Sequence, residues 1–136
     1  MGLKLIFYVY LSWAVNVLVH EVAHYLVARI LHFDILGIEI GAKLMSTSFG
    51  KLRISPILHK GSTIVNATFK SRFSAAFFYL SGAIGNLLIL FVATCTTSSS
   101  FRITLQIIAV MHILSSLIPL PGSDLSNLIK VIKSNT

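Results

Sequence analysis

At 136 residues, with 55% apolar residues, 11% charged residues and a mean hydropathy of +0.86, the chain is too apolar for an ordinary soluble domain, whose charged share is about a quarter. The formal charge of +7 comes with no aromatic-basic interleaving and no zinc-finger spacing, which argues against a nucleic-acid partner. The single cysteine, Cys95, excludes an internal disulfide and a thiolate metal cluster and fits a small apolar residue in a helix.

Three long apolar segments, about 5–31, 73–94 and 103–118, each approach the roughly 20 helical residues needed to cross a hydrocarbon core. The first is too long for a signal peptide and is not followed by a small-residue cleavage site. The expected fold is an integral membrane α-helical protein of one domain, 1–136, with three transmembrane helices. No repeat or Pro/Gly-rich linker divides it. Of the eleven Lys and Arg residues, only Lys4 and Arg102 fall on one side of such an arrangement, and the other nine lie opposite or at its edge. The positive-inside rule then places the N-terminus outside and the C-terminus in the cytoplasm.

Within the first segment stands His20-Glu21-Val22-Ala23-His24. An ionisable residue in lipid costs at least a few kcal/mol, so three together call for a partner or a bound ion. Residues four apart share one face of a helix, so His20 and His24 can reach a single ion, and zinc suits that pair. Glu21 is turned away from the line joining them, yet close enough to take a proton from a metal-bound water. Catalytic zinc takes three protein ligands and keeps a position open. Asp34 follows the helix too closely to fold back and Glu39 fits an exposed strand face. His32 and His59 read as interfacial or loop residues, and His112, inside the third segment, reads as a hydrogen bond between helices. Asp124 is the best remaining oxygen donor, with a helix N-cap as its competing role.

Between the first two helices, about 35–68, polar and apolar residues alternate in GIEIG and KLRISPIL, punctuated by Gly37, Gly41, Gly50, Pro56 and Gly61. This pattern predicts a short β-hairpin-like segment that can dip into the membrane wherever protein or water satisfies its backbone. In the second helix, SGAIGN carries Gly82 and Gly85, which allow close approach of another helix, and Asn86 one turn further. The Asn86 amide either joins helices or holds a substrate carbonyl. Pro119 and Pro121 of IPLPGSD end the third helix, and an amphipathic cytoplasmic tail, 122–136, follows.

Taken in order, HEVAH, SGAIGN and IPLPGSD resemble the motifs of the site-2 protease family of intramembrane zinc metalloproteases, as do the strands between the first two spans. The resemblance covers roughly 12–127, a minimal three-span core. It implies Zn2+ held by His20, His24 and Asp124, Glu21 as general base, and Asn86 as a substrate-binding or site-shaping contact. The chain has Ser116 and Leu125 where the family usually has Asn and Gly. The implied activity is hydrolysis of peptide bonds in a membrane protein or peptide within or near the bilayer, with substrate choice resting on the strands, a regulatory membrane partner or a homo-oligomer. The non-enzymatic alternative is a small membrane adaptor or inactive relative that binds a membrane protein without cutting it.

Overall fold

A computed structural model describes residues 2–41, 46–57, 60–66, 69, 71–95 and 99–134. His59 and the loop lysines Lys43 and Lys70 lie outside the described residues. The chain is mostly helical: α1 (Gly2–Ile30), α2 (Arg72–Ala93) and α3 (Ser99–Leu117) pack on one another, and α4 (Asp124–Ser134) lies mainly against α2. The first three are long and apolar enough to cross a membrane. They coincide with the three segments expected, except that α3 begins at Ser99 rather than near 103.

The helix ends follow local chemistry. After α1, Phe33 N–H donates to the Ala28 carbonyl (2.9 Å) and His32 N–H to that of Arg29 (3.2 Å), the paired bonds of a Schellman motif. His32 takes the left-handed position there, at φ 56°, a conformation in which His is enriched among non-glycine residues. Ser71 and Ser74 form a reciprocal capping box at the start of α2. Pro119 and Pro121 separate α3 from α4, and the Ser123 hydroxyl accepts from Ser126 N–H at 3.2 Å, which makes Ser123 the N-cap of α4.

Among the described residues, the segment between α1 and α2 folds into four strands rather than a hairpin alone: β1 (Asp34–Ile40), β2 (Thr47–Phe49), β3 (Leu52–Ile54) and β4 (Gly61–Asn66), in the order β2-β3-β1-β4. Strands β2 and β3 form the local hairpin, while β1 runs parallel to β3 and antiparallel to β4. The pairing of β1 with β4 joins residues more than twenty apart, beyond the reach of turn chemistry. The sheet lies along the flank of α1, not beyond its end. Ile35 packs with Val27 and Ala28, Thr63 bonds Glu21, and Tyr10 O–H donates to the Pro56 carbonyl (2.6 Å). From Ala28 back to Tyr10 is about 27 Å of helix at 1.5 Å per residue.

The helical bundle buries polar groups and displays apolar ones. Ser12, Asn16, Glu21, His24, Ser81 and Asn86 are buried, whereas Phe7, Leu26, Leu88, Phe91, Ile107 and Leu114 are exposed. Two apolar clusters bracket the polar zone. One joins Val27, Ala28, Ile35 and Phe78 near the end of α1, and the other joins Ile89, Ala93, Leu105 and Ala109 between α2 and α3.

Candidate metal centre

His20 and His24 stand one helical turn apart on α1, and α4 brings Asp124 to them across more than a hundred residues of sequence. The two Nε2 atoms lie 3.1 Å apart; Asp124 Oδ2 is 3.1 Å from His20 Nε2, and Oδ1 is 3.4 Å from His24 Nε2. A tetrahedral ion about 2.0–2.1 Å from each of three donors holds them about 3.3 Å apart. One donor atom from each of the three residues lies within 4.8 Å of the others, so the set could hold a metal ion.

Hydrogen bonds behind the rings set which nitrogen faces the centre. His24 Nδ1 is 2.9 Å from the Phe78 carbonyl, which only accepts, so Nδ1 carries the proton and Nε2 turns its lone pair inward. Ser81 O–H also donates to that carbonyl, at 2.7 Å, and its oxygen lies 3.0 Å from His24 Nδ1. His20 Nδ1 faces the Asn86 amide at 3.2 Å, and Asn86 Oδ1 is otherwise buried without a partner. The amide orientation that sets Oδ1 against His20 Nδ1–H satisfies both groups and frees His20 Nε2. Two inward lone pairs and a carboxylate then converge on one point, a donor set that wants positive charge. Where a proton rather than a metal ion occupies Nε2, burial pushes the Asp124 carboxyl up, but hydrogen bonds from His20 and His24 outweigh this and hold it well below the usual carboxylate range.

Glycine makes room for the cluster. A Cβ placed on Gly82 would collide with the His20 ring and lie 2.6 Å from His24 Nε2. Gly82 thus serves the imidazoles, whereas Gly85 sits against Val19 and Ala23 and provides the close helix contact.

Glu21 lies beside the cluster, 4% exposed, and accepts the Thr63 hydroxyl at 2.7 Å. All four residues open onto a cleft of about 520 Å³, whose walls include Lys60 to Thr63 of the β4 side, His112 of α3 and Asn127 of α4. Two imidazoles from α1, a carboxylate from α4 and the hydrogen-bonded Glu21 carboxylate beside an open volume could bind a metal and handle a proton next to it.

The other oxygen candidates are engaged elsewhere. Asp34 pairs with Lys51 at 3.8 Å, and Glu39 with Arg53 at 2.8 Å. Asp124 occupies the first turn of α4, and the capping role belongs to Ser123. Asn86 touches the far side of a metal-site imidazole. Among the described residues, the His112 ring meets Trp13 edge-on at 4.7 Å and its buried Nε2 has no hydrogen-bond partner, in place of the hydrogen bond between helices expected for it. Local reading missed Thr63, Ser81 and the Phe78 carbonyl. Ser81 could have been found from its place directly before Gly82, but Thr63 depends on a long-range strand register that no motif announces. No protein-family model matches this chain, and a search of curated proteins finds no match.

Proposed function

We propose that this protein is an intramembrane zinc metalloprotease, similar to the site-2 protease family, that hydrolyses peptide bonds of membrane-associated substrates. The observation that carries the proposal is the convergence of His20 Nε2, His24 Nε2 and the two Asp124 oxygens, one oxygen 3.1 Å from His20 and the other 3.4 Å from His24, with Glu21 beside them. Zinc is favoured because two neutral imidazoles and one carboxylate are a catalytic zinc set, and because the neighbouring carboxylate is what hydrolysis requires. Held there, zinc would supply a Lewis acid and an acidified water.

The protein's own groups carry the remaining steps. Phe78 and Asn86 fix the two imidazole orientations through their outer nitrogens. Glu21 takes a proton from the attacking water and delivers it to the departing amide nitrogen. A helical substrate hides its amides in intrahelical bonds and must unwind to be cut. Strand β4, with β1 on one side only, presents an edge along the cleft to which an extended segment could add. Substrates with helix-breaking residues are therefore expected to be cut faster than stiffly helical ones.

A bilayer setting is supported by three apolar helices with apolar residues outward, and by the nine-to-two division of basic residues, which favours a cytoplasmic C-terminus. In that setting the sheet, lying against the flank of α1, dips into the slab with its free edge toward the cleft.

The test is reconstitution in lipid vesicles with a membrane-anchored peptide, measuring bound metal and cleavage. One zinc per chain, cleavage by the parent and only a small residual rate in Glu21→Gln with its zinc retained are expected. Iron in place of zinc, no divalent metal, or undiminished cleavage by Glu21→Gln would overturn the proposal, and an absence of cleavage by the parent would do so in favour of an adaptor.

A further inference from the structure

The carboxylate proposed as the base is anchored from outside its own helix. Thr63 Oγ1 donates to Glu21 Oε2 at 2.7 Å and lies 3.3 Å from the Glu21 carbonyl oxygen. Two residues earlier on β4, and so on the same face of the strand, Gly61 lies flush with the same side chain: a Cβ there would collide with Glu21 Cγ, Cδ and Oε1. Strand β4 thus grips Glu21 at positions 61 and 63. It is also an edge strand of the sheet, and Lys60 to Thr63 line the cleft.

We propose that Thr63 is the positioning residue of Glu21: its hydroxyl fixes the base to the edge strand, so the orientation of the base depends on how that strand is seated. This rests on the protease reading and deepens it by naming what aligns the base. A glutamate side chain turns about three bonds, and its own helix fixes only the first of them well. The Thr63 hydroxyl and the absence of a side chain at Gly61 define where the carboxylate comes to rest. Because Oε2 accepts a single hydrogen bond from Thr63, lone pairs remain to receive a proton from water. A segment adding to β4 would meet a strand already coupled to the base, so strand pairing and base alignment act on the same element.

The experiment uses the full chain, zinc-loaded in lipid vesicles, with Thr63→Val, Thr63→Ala and Thr63→Ser. Valine keeps the shape and removes the donor, alanine guards against misfolding of the valine variant, and serine keeps the hydroxyl. Loss of the donor is expected to lower kcat on the order of 10-fold to 100-fold, with KM and zinc content unchanged. Serine should restore kcat to within about threefold of the parent. In a Glu21→Gln background, Thr63→Val should change the residual rate no further. A second readout needs no turnover: the dissociation constant of acetohydroxamate, a zinc chelator that shares its proton with an adjacent carboxylate, should rise by a similar factor in Thr63→Val and Glu21→Gln and stay put in Thr63→Ser.

If the parent neither cleaves nor binds the hydroxamate, the protease reading fails and takes this inference with it. If the parent does both, the positioning role alone is overturned by unchanged kcat in the valine and alanine variants, by an effect confined to KM, or by failure of serine to rescue.

Discussion

Replacing Gly82 with alanine puts one methyl group where the metal would sit. The added Cβ would lie 2.6 Å from His24 Nε2 and closer still to the His20 ring, whereas ordinary contact begins at 3.4 Å. Relief requires a displacement of roughly 1 Å, yet metal-ligand distances tolerate only about 0.2 Å. Neither imidazole can yield freely, because Phe78 holds the outer nitrogen of His24 and Asn86 that of His20. Removing one outer partner typically costs about 10-fold to 100-fold in metal affinity. Displacing a donor atom should cost at least the upper figure, about 2.7 kcal/mol or more. Alanine is a better helix former than glycine, so α2 itself should not suffer. The assay is competition for zinc against a chelator of known affinity, with far-ultraviolet circular dichroism on the same sample. Helix content like the parent's with at least 100-fold weaker binding is expected. Parental affinity in Gly82→Ala would refute the placement of the ion between these rings.

Three further outcomes follow from the same geometry. Asp124→Asn should lose most bound metal while keeping α4, whereas Ser123→Ala should keep the metal and cost about 1 kcal/mol as a lost helix cap; metal analysis and thermal unfolding separate the two. Asn86→Ala should weaken metal binding about 10-fold to 100-fold by releasing the His20 ring, measured by the same competition, and an unchanged affinity would return Asn86 to a purely substrate-facing role. In chelator-stripped protein, the Asp124 carboxyl is held below its ordinary range. Its stabilising contribution is therefore fully present above the unfolded-state value, near 4, and is lost as pH falls through the depressed native value. The stability gap between parent and Asp124→Asn should shrink on acidification below about pH 4, and a gap that widens would contradict the assignment.

The features legible in the sequence are those written in short-range pattern. Helical periodicity put His20 and His24 on one face, the length and apolarity of three segments foretold α1, α2 and α3, and two prolines marked the end of α3. Spacing alone also placed Glu21 off the line joining the histidines yet close enough to serve as a base. Choosing Asp124 over Asp34 and Glu39 was partly local, because Asp34 follows α1 too closely to fold back and Glu39 fits a strand face; their pairing with Lys51 and Arg53 was not, since those partners lie well along the chain. The order of the four strands lay out of reach, since β1 finds β4 across more than twenty residues and loop closure over that distance leaves no trace in neighbouring residue types. So did the contacts of Gly82, which reads as a helix-packing glycine until the rings it accommodates are seen.

Sequence by itself determined which groups could bind a metal, because ligand chemistry belongs to residue types and the four-residue period belongs to the α-helix. Only the tertiary structure decided that α4 delivers Asp124 to the two imidazoles, that Asn86 and Phe78 set which nitrogens face inward, and that β4 secures Glu21. Those relations depend on the packing of elements distant along the chain, where a shift of 1 Å would leave every local preference intact and still dissolve the site.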